Sequence, residues 1–232
     1  MLGAVRHKGY IPWDDDIDIS MMREDWEKFV AVFNQLNCNK RYELHSLAND
    51  PEFFYPFAKV YDTRTVMNEL DSIGPEICVY VDVFVYDNAP DDETSLKRMI
   101  KKHSLYRKFH LLSEMAGINP KGSIIRRACV YILWYLLRLI PINYFSKRSL
   151  KEAQRYNSVQ TKRAGNLAYG VNKLCGIEGL QIQTEVEFEG RKFKAPSAYD
   201  ELLKNEYGDY MQLPPVEERV GHHHTEVYIL ED

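Results

Sequence analysis

The sequence carries little that would mark it for export, thiol chemistry or nucleic acid. Its four cysteines (Cys38, Cys78, Cys129, Cys175) form no CxxC pair, and no His or Cys stands beside them at metal-finger spacing. They read as buried free thiols in a reducing compartment. No apolar leader follows Met1, because Arg6, His7 and Lys8 arrive at once, so the expected location is the cytoplasm. Net basic charge is also absent: 30 Lys and Arg against 34 Asp and Glu leave −4, which excludes a global field for nucleic acid. The apolar run Ala128–Ile140 is too short, and too interrupted by Arg138, for the roughly 20 residues that a bilayer span needs. There is no internal repeat or low-complexity segment.

What is present suits a well-filled interior. With 232 residues, 45% of them hydrophobic and 16 of them Tyr, the chain can build one large domain, or a core with a small subdomain. Gly9 to Pro12 reads as a turn and Asp16–Met21 as a short strand. Arg23–Leu36 reads as an amphipathic helix, with Trp26, Phe29, Val30 and Phe33 at helical spacing. Strand-like runs follow at Tyr42–Leu47, Tyr55–Tyr61, Thr65–Glu69 and Ile77–Tyr86. In the last, Val79, Val81, Val83 and Val85 alternate with Tyr80, Asp82, Phe84 and Tyr86, the pattern of a central strand. From Asp91 the character turns helical: Thr94–Met115, Ile124–Ile140 and Ser146–Arg163. A short β excursion at Val186–Phe193, a helix at Ser197–Asn205 and a strand at Thr225–Leu230 close the chain. The whole reads as α+β: a mixed-sheet catalytic core at 1–90, a helical part at 91–165, and a C-terminal part at 166–232 packing back on the core.

The segment Trp13-Asp14-Asp15-Asp16-Ile17-Asp18-Ile19 carries the chemistry. On a strand, Asp16 and Asp18 project from one face with Cβ atoms roughly 6–7 Å apart. Two carboxylates that close repel unless a cation joins them, so the pair invites a hard divalent ion such as Mg²⁺ or Mn²⁺. Such an ion can clamp a donor phosphate and offset charge on a leaving group. Asp82 is the candidate third carboxylate, since it lies opposite the valine face of its strand; the rival reading is a structural carboxylate paired to a Lys or Arg. Asp14, Asp16 and Asp18 match the first three positions of a calcium-binding EF-hand loop, but Ile19 stands where Gly is required and Asp25 where Glu is. Arg6, His7 and Lys8, just upstream, are placed to meet phosphate.

The run from Leu2 through Ile19 resembles the signature of the LicD family of phosphorylcholine transferases, whose distant relatives are the fukutin-related proteins. Similar stretches recur at Phe57–Thr65, with Lys59, at Val81–Phe84, and from Tyr207-Gly208-Asp209-Tyr210 through Leu213-Pro214-Pro215 to Arg219 and His223. The resemblance implies a nucleotidyltransferase-like fold with Asp16, Asp18 and Asp82 as catalytic and metal-binding residues. It also implies Arg6, His7, Lys8, Lys59 and Arg219 at the substrate. The implied donor is CDP-choline or a similar CDP-alcohol, and the acceptor a hydroxyl of a cell-surface glycan such as lipopolysaccharide or teichoic acid. Family members carry a segment ending in Gly-Thr before the position of Leu2, which would supply a helix and a strand or turn near the donor phosphates; here Met1 stands in its place.

Two further readings stay open. The segment 124–145, with Arg126-Arg127 and Lys147-Arg148 bracketing apolar and aromatic residues, fits either a buried helix or a peripheral contact with the inner membrane face. The His222-His223-His224 run is not assigned zinc. The alternatives to a phosphotransferase are a metal-dependent nucleotide-sugar glycosyltransferase, which attacks a sugar carbon instead of phosphorus, and a non-catalytic relative.

Overall fold

The computed structural model describes all residues except 37–39, 75, 168–173, 222–224 and 231–232, and the side chain of Asn34. Cys38 and the three consecutive histidines therefore lie outside the described residues. The chain opens on a π-helical turn, Gly3–His7, and then alternates strands and helices. These are β1 (Asp18–Met22), α1 (Arg23–Leu36), β2 (Tyr42–His45), β3 (Ala58–Glu69), β4 (Ile77–Ala89), α2 (Glu93–Glu114), α3 (Ile124–Leu137) and α4 (Tyr144–Ala153). After them come β5 (Arg163–Gly165), β6 (Leu174–Gly176), α5 (Ile177–Gln181), β7 (Gln183–Phe188), β8 (Arg191–Pro196), α6 (Tyr199–Tyr207) and β9 (Thr225–Ile229). The fold is α+β.

β4 organises a seven-stranded mixed sheet. It pairs antiparallel with β3, parallel with β1 and, at its far end, antiparallel with β5. Its alternating valines account for this position: Val83 is fully buried and Val85 nearly so, while Asp82, Phe84 and Tyr86 fill the other face. β9 adds to the other end of β3, and β7 and β8 form a separate hairpin. A second cluster joins the end of β4 to the helices: Ala89, Leu96, Met99, Ala153 and Leu167 are all at or below 5% exposure. Each large aliphatic side chain buried there contributes about 1.5–3 kcal/mol.

Several elements depart from expectation for identifiable reasons. The two runs around Tyr55–Glu69 form one long strand that starts at Ala58, with a register shift between Asp62 and Met67. Thr65 bridges that shift: its hydroxyl donates to the Asp62 carbonyl (2.7 Å) and accepts the Val79 amide (2.8 Å). The third helix ends at Ala153, followed by a 3₁₀ turn at Gln154–Tyr156, instead of running to Arg163. Asn157 draws the chain onto the sheet, accepting the Asn88 amide and donating to Asp87 (2.9 and 2.6 Å). β5 and β6, three residues each, are too short to show a period. Val30 of α1 is exposed, so the packed stripe there narrows to Trp26, Phe29 and Phe33. The described cysteines are free thiols, but only Cys175 is buried; Cys78 is half-buried and Cys129 exposed.

Candidate active site

Strand register brings three charged residues into one row. Asp18 opens β1 directly beside Asp82 of β4, and Asp82 stands opposite Lys59 of β3. Side chains in register share a face, so Asp18, Asp82 and Lys59 project together. Asp16 lies two residues before Asp18, and the Asp82 amide donates to the Ile17 carbonyl (3.0 Å), which ties that segment to the sheet. Asp18 is exposed and Asp16 half-buried, both on the rim; Asp82 lies deeper, and Lys59 is 1% exposed.

Lys59 Nζ donates to Asp82 Oδ1 (2.8 Å) and sits over three rings, 3.1 Å from the centroid of Tyr80, 4.5 Å from Tyr55 and 5.3 Å from Phe57. Burial pulls the ammonium pKa down, while Asp82, Glu69 and Asp18 oppose that pull. The structure thus pairs Asp82 with a buried lysine. Among the described residues no three acidic, His or Cys side chains converge as a ready metal cluster. Mg²⁺ needs only one or two carboxylates when phosphate and water complete its shell, and the rim pair Asp16 and Asp18 fits that donor set.

α2 and α4 close over this face. Tyr106, His110 and Glu114 of α2 and Phe145 of α4 join Tyr55 and Glu69 around a hollow of about 440 Å³. Tyr55 donates to Glu69 Oε2 (2.8 Å), and His110 Nε2 lies 3.3 Å from Glu114 Oε2. Burial first, and then the charge of Glu69, pushes the Glu114 carboxyl up to about 8; burial pushes the His110 imidazole down to about 4. Burial thus disfavours the charged form of both members of the His110–Glu114 pair.

On the other side of the rim carboxylates opens a cleft of about 2250 Å³, which Arg6, Tyr10, Trp13, Asp14 and Tyr207 help to line. Asp16, Asp18 and Phe84 line both spaces. The β7–β8 hairpin holds the N-terminal turn: the Glu189 amide donates to the Lys8 carbonyl (2.8 Å), and Glu189 Oε1 accepts the Tyr10 amide (3.1 Å). Gly9, with no side chain, leaves room for that carboxylate; a Cβ there would fall 2.2 Å from its oxygen and push the Glu189 side chain aside.

The five expected substrate-binding cations separate into two groups. Arg6 donates to the Tyr210 carbonyl (2.9 Å), and Arg219 donates to the Pro214 carbonyl (2.9 Å) with its guanidinium 5.3 Å from the Trp13 ring. His7 meets the same ring edge-on at 5.9 Å. Arg6, His7 and Arg219 are therefore gathered around the cleft and Trp13. Lys8 is exposed and does not line the cleft, while Lys59 is buried against Asp82 and lines the smaller hollow. Inspection of the sequence missed Tyr55, Tyr80, Glu69, His110 and Glu114. Tyr80 alone had a local signal, two residues before Asp82 on the same strand.

Asp18 of β1 thus stands beside Asp82 of the parallel strand β4, and Asp16 and Asp18 line the cleft. Residues 1–113 match the family model described as LicD/FKTN/FKRP, nucleotidyltransferase domain. Over 239 aligned residues the chain is 31% identical to the lipopolysaccharide cholinephosphotransferase LicD of Haemophilus influenzae, covering 99% of this chain and 86% of that one. The chain belongs to the LicD family and is an enzyme of the transferase class. Shorter likenesses reach uncharacterized proteins of Rickettsia prowazekii, 48% identical over 46 residues (18% of this chain, 17% of that one), and Rickettsia typhi, 51% over 39 residues (16% and 13%). No solved structure matches.

Proposed function

We propose that the chain transfers phosphorylcholine from CDP-choline to a hydroxyl of a lipid-linked cell-surface glycan, acting at the inner face of the membrane. One observation carries this reading: Asp16 and Asp18 stand at the junction of two spaces that differ in size and lining. The large cleft has room for a nucleotide and offers Arg6 to phosphate. The hollow of about 440 Å³ suits a small headgroup and not a glycan. Its Tyr55, Tyr106 and Phe145 rings, with the Glu69 carboxylate, are the chemistry that receives a quaternary ammonium.

Asp16 and Asp18 would hold Mg²⁺ or Mn²⁺, which clamps donor phosphate oxygens and offsets charge on departing CMP. The glycan oxygen forms the new bond to the choline-bearing phosphorus as the bond from that phosphorus to CMP breaks, and the hydroxyl proton passes to a carboxylate of the row. Asp82, fixed by Lys59 beside Asp18, is the third carboxylate. Lys59 positions Asp82 from the wall of the hollow. In this scheme residues 1–90 are the catalytic core, 91–165 the helical lid over the hollow and 166–232 the segment that completes the cleft.

The test is incubation with CDP-choline, Mg²⁺ and lipopolysaccharide or its soluble glycan, reading CMP release and the phosphodiester on the glycan. Wild type is expected to release CMP, while Asp16→Asn and Asp18→Asn do not. Unchanged release in both variants would remove the metal assignment. UDP or GDP release from a nucleotide sugar would replace the reading with glycosyl transfer, and donor binding without turnover would replace it with a binding module.

A further inference from the structure

α3 is packed the wrong way round for a helix in water. Trp134 and Leu137 are buried, and the side chains of Tyr131, Trp134 and Arg138 fasten the helix to main-chain carbonyls beyond the end of α2. Trp134 Nε1 and Arg138 Nη2 donate to Met115 (3.3 and 3.0 Å), and Tyr131 donates to Ile118 (3.2 Å). At 100° per residue, Ile125, Ala128, Ile132, Tyr135, Leu136 and Leu139 fall on the side opposite those anchors. Ile125 is 78% exposed, Ile132 60% and Leu139 81%. That outward face contains no charged residue, where an ordinary surface helix is polar.

Charge around the helix is equally one-sided. Between Glu114 and Glu152 the chain has no acidic residue, although acidic residues outnumber basic ones overall. The same stretch holds Lys121, Arg126, Arg127, Arg138, Lys147, Arg148 and Lys151, all exposed. An apolar face bordered by exposed cations matches the layering of a bilayer surface, with acyl chains below and anionic headgroups at the level of the basic residues. A second copy of the chain fits worse: a two-fold interface sets a surface against itself, and this one brings only positive charge. No helix among the described residues is long and apolar enough to cross a membrane, so the contact lies in the plane of the surface.

We infer that α3 is a docking helix that seats Ile125, Ile132, Leu136 and Leu139 in an anionic bilayer, with Arg126 and Arg127 at the headgroups. This builds on the reading of a lipid-linked acceptor, because docking would hold the catalytic rim near the surface that presents the glycan. The experiment is flotation of the full chain with phosphatidylcholine vesicles, with or without about 30% phosphatidylglycerol. Wild type is expected to float with the anionic vesicles and to stay down with neutral ones. Ile132→Asp/Leu136→Asp and Arg126→Glu/Arg127→Glu should each weaken binding by at least about tenfold while leaving the thermal melt unchanged, since all four positions are exposed.

Wild type remaining at the bottom with anionic vesicles overturns the proposal, as does either double variant floating like wild type. A dimer in sedimentation equilibrium that the aspartate variant splits, without flotation, also overturns it. CMP release with a soluble glycan acceptor separates the two readings. Its loss with flotation intact removes the transfer reaction, and the reverse removes the docking helix.

Discussion

Two aspartates of β4, five residues apart, are both buried, and their surroundings differ. Asp87 is 1% exposed and fully engaged: Arg23 grips it with two bonds of 2.8 Å, and Asn157 adds a third of 2.6 Å. It joins the start of α1, the end of β4 and the turn after α4, and its bonds run to fixed elements of the fold. Asp82 has Lys59 on one oxygen, an aromatic wall behind that lysine, the rim carboxylate Asp18 alongside and a hollow in front. A buried charge costs stability unless it is paired. Asp87 meets that cost with structure alone, whereas Asp82 meets it with a lysine at the edge of a cavity, where the pair can also serve a reaction.

The largest effect on turnover is expected at the rim. Asp16→Asn and Asp18→Asn should lower the CMP release rate by at least about 100-fold, because each removes a charge that holds the phosphate end of the donor. Unfolding in urea should shift by no more than about 0.5 kcal/mol, as expected of surface positions. A large stability loss with intact turnover would show that the rim is structural.

Asp87→Ala comes next and should cost about 3–5 kcal/mol in urea unfolding, since it strands a mostly buried guanidinium. Whatever fraction remains folded should still turn over. Asp82→Asn should cost a similar amount and also abolish transfer in the folded fraction. The double variant Lys59→Met/Asp82→Asn should be more stable than Asp82→Asn alone, because it removes the stranded cation, yet it should stay inactive. Turnover by the double variant would reduce Asp82 to the structural kind that Asp87 represents.

The pH dependence is a smaller effect. Glu114 is raised to about 8 from the ordinary carboxylate range, so the folded state holds its proton longer than the unfolded chain does. That contribution to stability is complete below about pH 4.5 and is lost as pH rises toward 8. His110, lowered to about 4, acts in the opposite sense: its contribution is present above about 6.5 and is lost as pH falls through 4. Between 4.5 and 6.5 the two slopes oppose each other; from 6.5 to 8 Glu114 acts alone. Glu114→Gln should therefore flatten the fall in melting temperature across pH 6.5–8, and an unchanged slope would remove this assignment.

The smallest expected change is at Tyr80→Leu. Losing the ring under the Lys59 ammonium should cost about 1–2 kcal/mol of stability and raise the KM for donor more than it lowers kcat. An unaltered KM would separate the aromatic wall from donor binding.

Much of the core was legible in the chain. Period-two valines marked β4, and α1 was bounded at the residues where it is found, because both signals are local and repeat over many positions. The helix from 146 was drawn too long because Asn157 leaves the helical path to bond Asp87 and Asn88, residues some seventy positions earlier. Among the cations expected at the substrate, Lys59 entered only through the family resemblance of Phe57–Thr65. Its burial against Asp82 depends on strand register, which no spacing within Phe57–Thr65 reveals.

The sequence by itself determined that Asp16 and Asp18 lie together at the head of a strand, which begins at Asp18 and not at Asp16, and that a cluster of basic residues precedes them. It also determined an apolar, acid-free stretch around Ala128–Ile140. Alternation and charge are properties of neighbouring residues, so those conclusions needed no tertiary contact. Only the tertiary structure decided that Lys59 holds Asp82, that α2 brings Tyr106, His110 and Glu114 over the sheet, and that Ile132 and Leu139 face outward. Each of these is set by which distant elements pack together, and the chain encodes that through the whole fold at once.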